Sequence, residues 1–441
     1  MLSELPKSIQ VLSSKISSLQ VLQLVLVCEL FNLCYYVYYF FINHYLPAPF
    51  VWDKNDTLMD FYNPLFWVVK DGFYTSFQSV YPPLNYFFLK IFSFNIDPIY
   101  VLDRFDFRAE YLNRGILISA LYISFVLVTV NIGEWKKIKI GNRFMVGLAC
   151  IISTPVLFAL ERGNLIFLAI LLLALYCATS NLWLKAIFFG LLVNIKPYFG
   201  LLLLQYLNFH QFDRSALIKS LLSAFLIFIA TGLAVELDFK KFFANYLLFG
   251  GGSVISPDAM LSFPNTLMNF YAIKWVIVYG SGSSEPRASY AFWFSLIKVL
   301  GYMAPAILTI ITLAKKLTKI ELLIASFLII ANFSISTGGY IYLCYLVLIP
   351  YLIRSDEYKK LVIFILVIFF FPFVWIDLAS VNFPVKSSFL GGGLSLEGVN
   401  FPVSLGSIIR PVANFLMMIV FICNLIEKYG VWTAKIPISR Q

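Results

Sequence analysis

Apolar runs of about 20 residues recur along the whole length of this chain, and each is long enough to cross a bilayer as a helix. Only 13% of the residues are charged, far below the share that a soluble domain carries. A closed barrel would show alternating polarity instead of continuous apolar runs. The pattern therefore predicts an all-α polytopic membrane protein, with the lipid bilayer as its first partner.

The formal net charge of +10 is explained by loops rich in Lys and Arg, and no continuous basic face is visible. We therefore expect no nucleic-acid partner. The six cysteines lie in or beside apolar runs, and no Cys or His spacing typical of a metal site occurs. Small buried hydrophobes are the simplest interpretation of these cysteines. We expect neither a metal nor another cofactor.

The basic loops predict the sidedness of the spans, because Lys and Arg concentrate on the cytoplasmic side. Such loops occur at 136–143, 315–319, 354–360 and 428–440, which places both termini in the cytoplasm. No small-residue cleavage site follows the first apolar run, so that run is interpreted as an anchor. The candidate spans are roughly 18–42, 112–132, 144–160, 164–180, 217–236, 290–313, 321–337, 339–353, 361–377 and 406–427.

The stretch 186–208 looks like one span, but a single span there would break the alternation of sides. Lys185 and the segment 210–219 both belong to the cytoplasmic side, so the chain must cross outward and return between them. Pro197 lacks a backbone donor and disfavours helix at Lys196. We therefore predict two short helices broken at this point, with Lys196 towards the outer face. The total becomes roughly twelve membrane helices.

This topology predicts a single integral-membrane domain over residues 1–441. Three long segments, 43–111, 237–289 and 378–405, remain as outer loops. They are polar enough to form ordered caps, and we expect them to carry short amphipathic helices along the membrane surface.

The first outer loop contains the acidic residues Asp53, Asp56 and Asp60. Apolar residues recur at helical spacing over 58–69, which places Asp60 in the first turn of a short surface helix. A carboxylate there complements the helix dipole. Alternatively, it acts as general base for an acceptor hydroxyl at the boundary of water and lipid. Asp53 and Asp56 are the alternative acids, unless they are solvated loop charges.

Two further groups of polar residues fall at outer ends of apolar runs. Arg162 follows Glu161 and either pairs with it or binds an anionic group such as phosphate, with Asn164 as a hydrogen-bond donor. Lys196 either extends to the membrane interface or belongs to an anion site. Irregular backbone at membrane depth is tolerated where it is buried or lines a cavity, which favours the anion site.

In order and approximate spacing, four elements of the sequence resemble a known family. They are Asp60, the YPPL segment 81–84, the ERGN segment 161–164 and the IKPY segment 195–198. The resemblance covers roughly residues 55–205 and is to the PimE-like polyprenol-phosphate-mannose-dependent mannosyltransferases of the GT-C superfamily. The family's Gly-Gln pair appears here as Arg-Gly, and its late His-containing segment has no counterpart at 334–350. Size and topology are also similar to O-antigen serotype-converting glucosyltransferases.

The resemblance implies a GT-C-like fold and an inverting glycosyltransferase in a bacterial inner membrane, with the active site on the periplasmic face. The donor would be a sugar on a polyprenyl phosphate, such as undecaprenyl phosphate, and the acceptor a lipid-linked or cell-envelope glycan. Asp60 would be the catalytic base, and Arg162 and Lys196 would bind the donor phosphate. The implied substrate-binding residues are Tyr62, Tyr81, Asn164 and Tyr198.

Other functions remain open from the residues alone. A polysaccharide polymerase or a lipid-linked sugar flippase would serve the same pathway, although a flippase needs cationic residues throughout its interior. A small-solute transporter usually has paired broken helices in two repeat halves, and only one break is evident here. A structural membrane subunit would not need charged residues gathered at one face.

Overall fold

The computed structural model describes residues 18–47, 50, 57–252, 287–333, 339–355, 357–371, 375, 377–389 and 394–430. Asp53 and Asp56, the alternative acids, lie outside the described residues, as does most of the predicted outer loop 237–289.

Helices make up most of the described chain. The α-helices are α1 (Ser18–Asn43), α2 (Met59–Val69), α3 (Pro83–Lys90), α4 (Arg104–Glu110), α5 (Leu112–Thr129), α6 (Ile140–Ile151), α7 (Thr154–Arg162), α8 (Ile166–Ala178), α9 (Leu182–Ile195), α10 (Leu204–Leu207), α11 (Arg214–Ala234), α12 (Phe239–Gly252), α13 (Arg287–Ala314), α14 (Lys319–Phe333), α15 (Tyr345–Ile353), α16 (Leu361–Phe370) and α17 (Leu405–Tyr429). Short 3₁₀ helices cover Ile91–Ser93, Gly133–Lys137, Pro197–Leu203 and Gly339–Cys344.

The apolar helices indicate a membrane-spanning protein. Within the described residues, four helices are long and apolar enough to cross a bilayer: Gln23–Asn43 of α1, α5, α11 and Ile408–Tyr429 of α17. The pair α6 and α7 passes the same test together, with a bend of 55° between its two parts. Further apolar helices have 10–17 residues. The helical membrane class is thus confirmed, whereas the total of about twelve membrane helices and the GT-C arrangement stay predictions.

The break in the segment 186–208 is confirmed. Helix α9 ends before Lys196, whose backbone is extended, and a 3₁₀ helix starts at Pro197. The Tyr206 hydroxyl at the far end of the segment lies 2.9 Å from the Tyr176 hydroxyl. The Lys185 ammonium near the start of α9 lies 4.7 Å from the centroid of the Tyr176 ring and 6.0 Å from that of Tyr206. The segment therefore leaves and returns at the same place, with Lys196 at its turn.

The loops with basic residues gather at one end of the molecule, here called the basic end. Asn208 donates to the backbone oxygens of Thr312 and Lys315 at 2.5 Å and 2.7 Å, and Lys315 donates to the Gly430 oxygen at 3.2 Å. These contacts join the loop after α10, the end of α13 and the end of α17. The basic end also includes the ion pairs Glu134–Lys137, Glu134–Arg354 and Glu357–Lys428.

The first and third predicted outer loops differ in structure. The first loop, 43–111, contains the short helices α2, α3 and α4, as expected. The third, 378–405, forms an antiparallel hairpin of strands β1 (Asp377–Ser388) and β2 (Leu394–Ser404). The short helices expected in this loop are therefore replaced by a hairpin, while the described chain is otherwise helical as predicted. Each strand contains the sequence Val-Asn-Phe-Pro-Val, whose β-branched and aromatic residues favour strands, and both strands are edges, where proline is tolerated.

Candidate functional site

Helix α2 places Asp60 in its first turn, as the sequence predicts. The helix begins after Leu58, which has a left-handed backbone with a φ of 62°. The Leu58 amide donates to the Glu161 backbone oxygen at 2.6 Å. The start of α2 is thereby attached to the end of α7, although the two segments are far apart in the sequence.

A glycine makes the close approach of α2 and α7 possible. Gly163 ends α7 with a φ of 67°, a conformation that glycine adopts without strain. A β-carbon at this position would lie 2.9 Å from the Phe61 β-carbon, so any other residue would push α2 away. The Gly163 oxygen accepts a bond from the Tyr122 hydroxyl at 3.3 Å. This turn directs the residues on either side of the glycine towards Asp60.

Both oxygens of the Asp60 carboxylate are bound by side chains from this turn. Arg162 Nη2 lies 2.7 Å from Oδ1, and Asn164 Nδ2 donates to Oδ2 at 2.6 Å. Asn164 is itself oriented, because its Oδ1 accepts from the Ile166 amide at 3.0 Å. The Asp60 and Arg162 side chains are 17% and 15% exposed, so the pair is screened from most of the solvent but not enclosed.

The charges around Asp60 keep its carboxyl ionised. Burial alone would raise the pKa of Asp60. The Arg162 guanidinium, the hydrogen bonds from Arg162 and Asn164, and the more distant Lys196 ammonium outweigh burial and hold the pKa below its ordinary value. Asp60 is therefore a carboxylate at neutral pH and can accept a proton.

Lys196 provides a buried positive charge beside this carboxylate. It is 7% exposed, and its ammonium lies 5.5 Å from the centroid of the Tyr81 ring and 5.7 Å from that of Tyr340. Within the described part of the chain, its N–H groups have no hydrogen-bond acceptor. A largely buried ammonium is stabilised by a bound anion that accepts its N–H groups. The geometry thus supports the anion site more than simple extension of the side chain to the interface.

The tyrosines predicted to bind substrate have different placements. Tyr81 flanks the Lys196 ammonium, and Tyr198 lies two residues after Lys196, at the start of the 3₁₀ helix Pro197–Leu203. The buried Tyr198 hydroxyl has no hydrogen-bond partner among the described residues. Both residues therefore belong to the site around Lys196.

Tyr62 lies apart from this site. It is fully buried, and its hydroxyl donates to the Tyr111 oxygen and accepts from the Gly115 amide, both at 2.8 Å. In this position it attaches α2 to the start of α5 and presents no surface to a ligand.

Tyr340 is a site residue that the sequence analysis missed. It follows a glycine pair in a stretch whose pattern indicates close packing of helices. No feature of the sequence connects it with Lys196, because the two residues come from distant segments that meet only in the fold.

The chain has no match among protein-family models, curated proteins or solved structures. In the described residues, no group of three or more His, Cys, Asp or Glu side chains could hold a metal ion. Function must therefore be argued from the chemistry of the site. That chemistry combines an ionised, oriented carboxylate with a largely buried ammonium for which the described residues provide no acceptor.

Proposed function

We propose that the protein is an inverting glycosyltransferase that moves a sugar from a polyprenyl-phosphate donor, such as undecaprenyl phosphate, to a lipid-linked or cell-envelope glycan. The reaction would take place at the periplasmic face of a bacterial inner membrane, with both termini in the cytoplasm. The observation that carries the proposal is the Asp60 carboxylate held by Arg162 and Asn164 beside the Lys196 ammonium.

The proposed reaction is a single displacement. Asp60 accepts the proton of the acceptor hydroxyl, and the hydroxyl oxygen forms a bond to the anomeric carbon from the side opposite the phosphate. The bond between this carbon and the phosphate oxygen breaks, and its electron pair leaves with the lipid phosphate. Attack from the opposite side inverts the anomeric configuration. Lys196 stabilises the charge that develops on the phosphate.

Arg162 and Lys196 have unequal roles in this proposal. One terminal nitrogen of Arg162 is engaged by Asp60, whereas the Lys196 ammonium has no acceptor in the described chain. We therefore assign the larger part of the phosphate charge to Lys196. An incoming phosphate would also offset the positive field that lowers the pKa of Asp60, so donor binding would make the carboxylate a better base.

The substrate-binding roles follow the placement of the tyrosines. Tyr81 and Tyr198 lie at the Lys196 side of the site, where the sugar next to the phosphate would sit. Aromatic rings offer apolar faces to a sugar, and the Tyr198 hydroxyl, which has no hydrogen-bond partner among the described residues, offers a hydrogen bond. Asn164 serves the base instead of the substrate.

The test is transfer of a radiolabelled sugar from synthetic polyprenyl-phosphate sugars to membrane glycan extracts, with the purified protein in lipid nanodiscs. We expect wild type to transfer, and Asp60→Asn to lose activity by about 100-fold or more while remaining folded. Asp71→Asn is the matched control, because this exposed aspartate follows the other end of α2. It should behave as wild type.

Two results would redirect the proposal. Equal transfer by wild type and Asp60→Asn would make Asp60 a helix-start charge and turn attention to Asp53 and Asp56. Absence of transfer from every monophosphate-linked sugar would favour the alternative function, a polysaccharide polymerase or a flippase for lipid-linked sugars. A polymerase would then be recognised by transfer from diphosphate-linked oligosaccharides.

A further inference from the structure

Two aromatic rings flank the Lys196 ammonium, and the Tyr340 ring is the one that the proposed reaction does not use. Tyr340 lies at the start of the 3₁₀ helix Gly339–Cys344. Its ring stacks on Phe158, with centroids 5.9 Å apart and an angle of 21° between the planes. Phe158 lies on α7, one turn before Arg162. Tyr340 therefore connects α7, whose Arg162 binds Asp60, with the turn that carries Lys196.

The ring faces stabilise the ammonium without occupying its hydrogen bonds. A cation near an aromatic face is attracted by the ring's electron density, and this attraction strengthens where water is excluded. A carboxylate in the same position would instead accept the N–H groups and neutralise the ammonium charge. A carbonyl would also occupy the N–H groups. With Lys196 7% exposed and no acceptor in the described chain, its donors remain available to a ligand.

A second donor lies two residues further along the chain. The Tyr198 hydroxyl is buried and has no hydrogen-bond partner among the described residues. Tyr198 is at the start of the 3₁₀ helix Pro197–Leu203, directly after the turn that carries Lys196, so it belongs to the same part of the site. An ammonium and a phenol for which the described residues provide no acceptor form a small donor set that suits the oxygens of a phosphate.

We propose that Tyr340 is a positioning residue of a phosphate site: with Tyr81, it confines the Lys196 ammonium so that its N–H groups face the phosphate. The identity of that phosphate as the group that links lipid and sugar in the donor rests on the proposed function. The confinement of Lys196 does not rest on the proposed function, since it follows from the distances between the Lys196 ammonium and the two rings. The proposal assigns this role to the Tyr340 ring, and the role does not require its hydroxyl.

Binding of farnesyl phosphate to the full-length protein in nanodiscs, measured by calorimetry, tests this proposal without any turnover. Tyr340→Phe keeps the ring and should bind as wild type does. Tyr340→Leu should bind roughly 3- to 30-fold more weakly, the range expected for loss of a cation–π contact. Lys196→Met should abolish measurable binding. Inorganic phosphate, measured in parallel, separates a free phosphate from a lipid phosphate as the preferred ligand.

Tyr342→Leu is the matched control for the Leu variant. Tyr342 lies on the same 3₁₀ helix and is 2% exposed, but its ring stacks on Tyr345 and does not flank Lys196. Its replacement should leave farnesyl phosphate binding unchanged. A thermal melt of each variant checks that the comparison is made between folded proteins.

The outcomes separate this proposal from the proposed function. Unchanged binding by Tyr340→Leu, or equal weakening by Tyr340→Phe and Tyr340→Leu, would overturn the role of the ring. Equal binding by wild type and Lys196→Met would overturn the phosphate site itself. If binding depends on Lys196 and on the Tyr340 ring but no sugar is transferred, the positioning role stands and the glycosyltransferase proposal fails. In an active enzyme, Tyr340→Leu should raise the donor KM more than it lowers kcat.

Discussion

Two buried carboxylates, at opposite ends of the molecule, are satisfied in different ways. At the basic end the Glu321 side chain is fully buried, and its oxygens accept four hydrogen bonds. The donors are the Thr318 amide at 2.5 Å, Tyr358 at 2.5 Å, Lys428 at 2.9 Å and Tyr429 at 2.8 Å. At the other end Asp60 accepts bonds from Arg162 and Asn164. The first cluster joins helix ends, whereas the second has an additional buried cation beside it.

The difference lies in the lysines more than in the acids. Lys428 donates to two glutamates, Glu321 and Glu357, so its charge is neutralised within the protein. Lys196 faces two aromatic rings and has no acceptor in the described chain. A neutralised cluster stabilises a fold, while an unneutralised cation in a buried place is available for an anionic ligand. The predictions below test this contrast, starting with the largest effect.

Replacement of Lys196 by Met should separate function from stability most clearly. The methionine keeps the apolar bulk between the rings but removes the charge, so sugar transfer should fall by roughly 100- to 1,000-fold. The melting temperature should stay the same or rise, because a largely buried charge is lost. Lys185→Met, at the base of the same out-and-back segment, is the control. Equal activity loss in both variants would contradict a special role for Lys196.

Replacement of Gly163 by Ala should disrupt the Asp60 site by displacement. The left-handed backbone costs a non-glycine residue about 1–2 kcal/mol, and the new methyl group would meet Phe61. We expect both a lower melting temperature and a loss of transfer. Gly141→Ala is the control, since a β-carbon there has no neighbour within 4 Å and the backbone is not left-handed. Wild-type activity in Gly163→Ala would show that the turn tolerates movement.

The pH dependence of kcat/KM should report the field around Asp60. Its pKa is below the ordinary value, so the ion pair with Arg162 adds stability above the pKa of an unfolded aspartate and loses it as pH falls through the folded pKa. The active form is the carboxylate, and activity should fall on the acid side at the same point. Arg162→Gln should raise the pKa and move this acid limb to higher pH, and Asn164→Ala should move it less. If the acid limb of the kcat/KM profile stays at the same pH in both variants, it reports the titration of a group other than Asp60.

Replacement of Glu321 by Gln should have the smallest effect on transfer. Loss of charge-assisted hydrogen bonds at a buried carboxylate should lower the free energy of unfolding by about 2 kcal/mol. The folded fraction should retain its kcat and donor KM, because the basic end does not contact the site. Glu427→Gln, at an exposed residue next to Lys428, should change neither the free energy of unfolding nor the transfer kinetics. A changed donor KM in Glu321→Gln would show that the two ends are coupled.

The sequence predicted what depends on position along the chain. Apolar runs predicted the membrane helices, and Pro197 predicted the break beside Lys196, whereas the sidedness taken from the basic loops stays a prediction. These are one-dimensional signals, and the hydrogen bond between Tyr176 and Tyr206 confirms the return of the segment that they require.

Errors arose where the result depends on how side chains face one another. The resemblance implied Tyr62 as a substrate-binding residue, but residues two apart on a helix point to different sides, and Tyr62 is buried away from Asp60's partners. Tyr340 was missed because it meets Lys196 only through tertiary packing. The hairpin was missed because a proline interrupts each strand, so that the stretch between two long apolar runs reads as an irregular loop.

The length of α9 has a consequence for biogenesis. With 14 residues it extends about 21 Å, which is less than the roughly 30 Å of hydrocarbon that a spanning helix must cross. The segment that carries Lys196 is therefore unsuited to enter the bilayer by itself. It packs on α8 and on α11, and α11 is made later by the ribosome. We expect the phosphate site to assemble only after α11 has emerged from the ribosome and inserted. In a chain truncated before residue 214, Lys196 would lack the packing of α9 on α11.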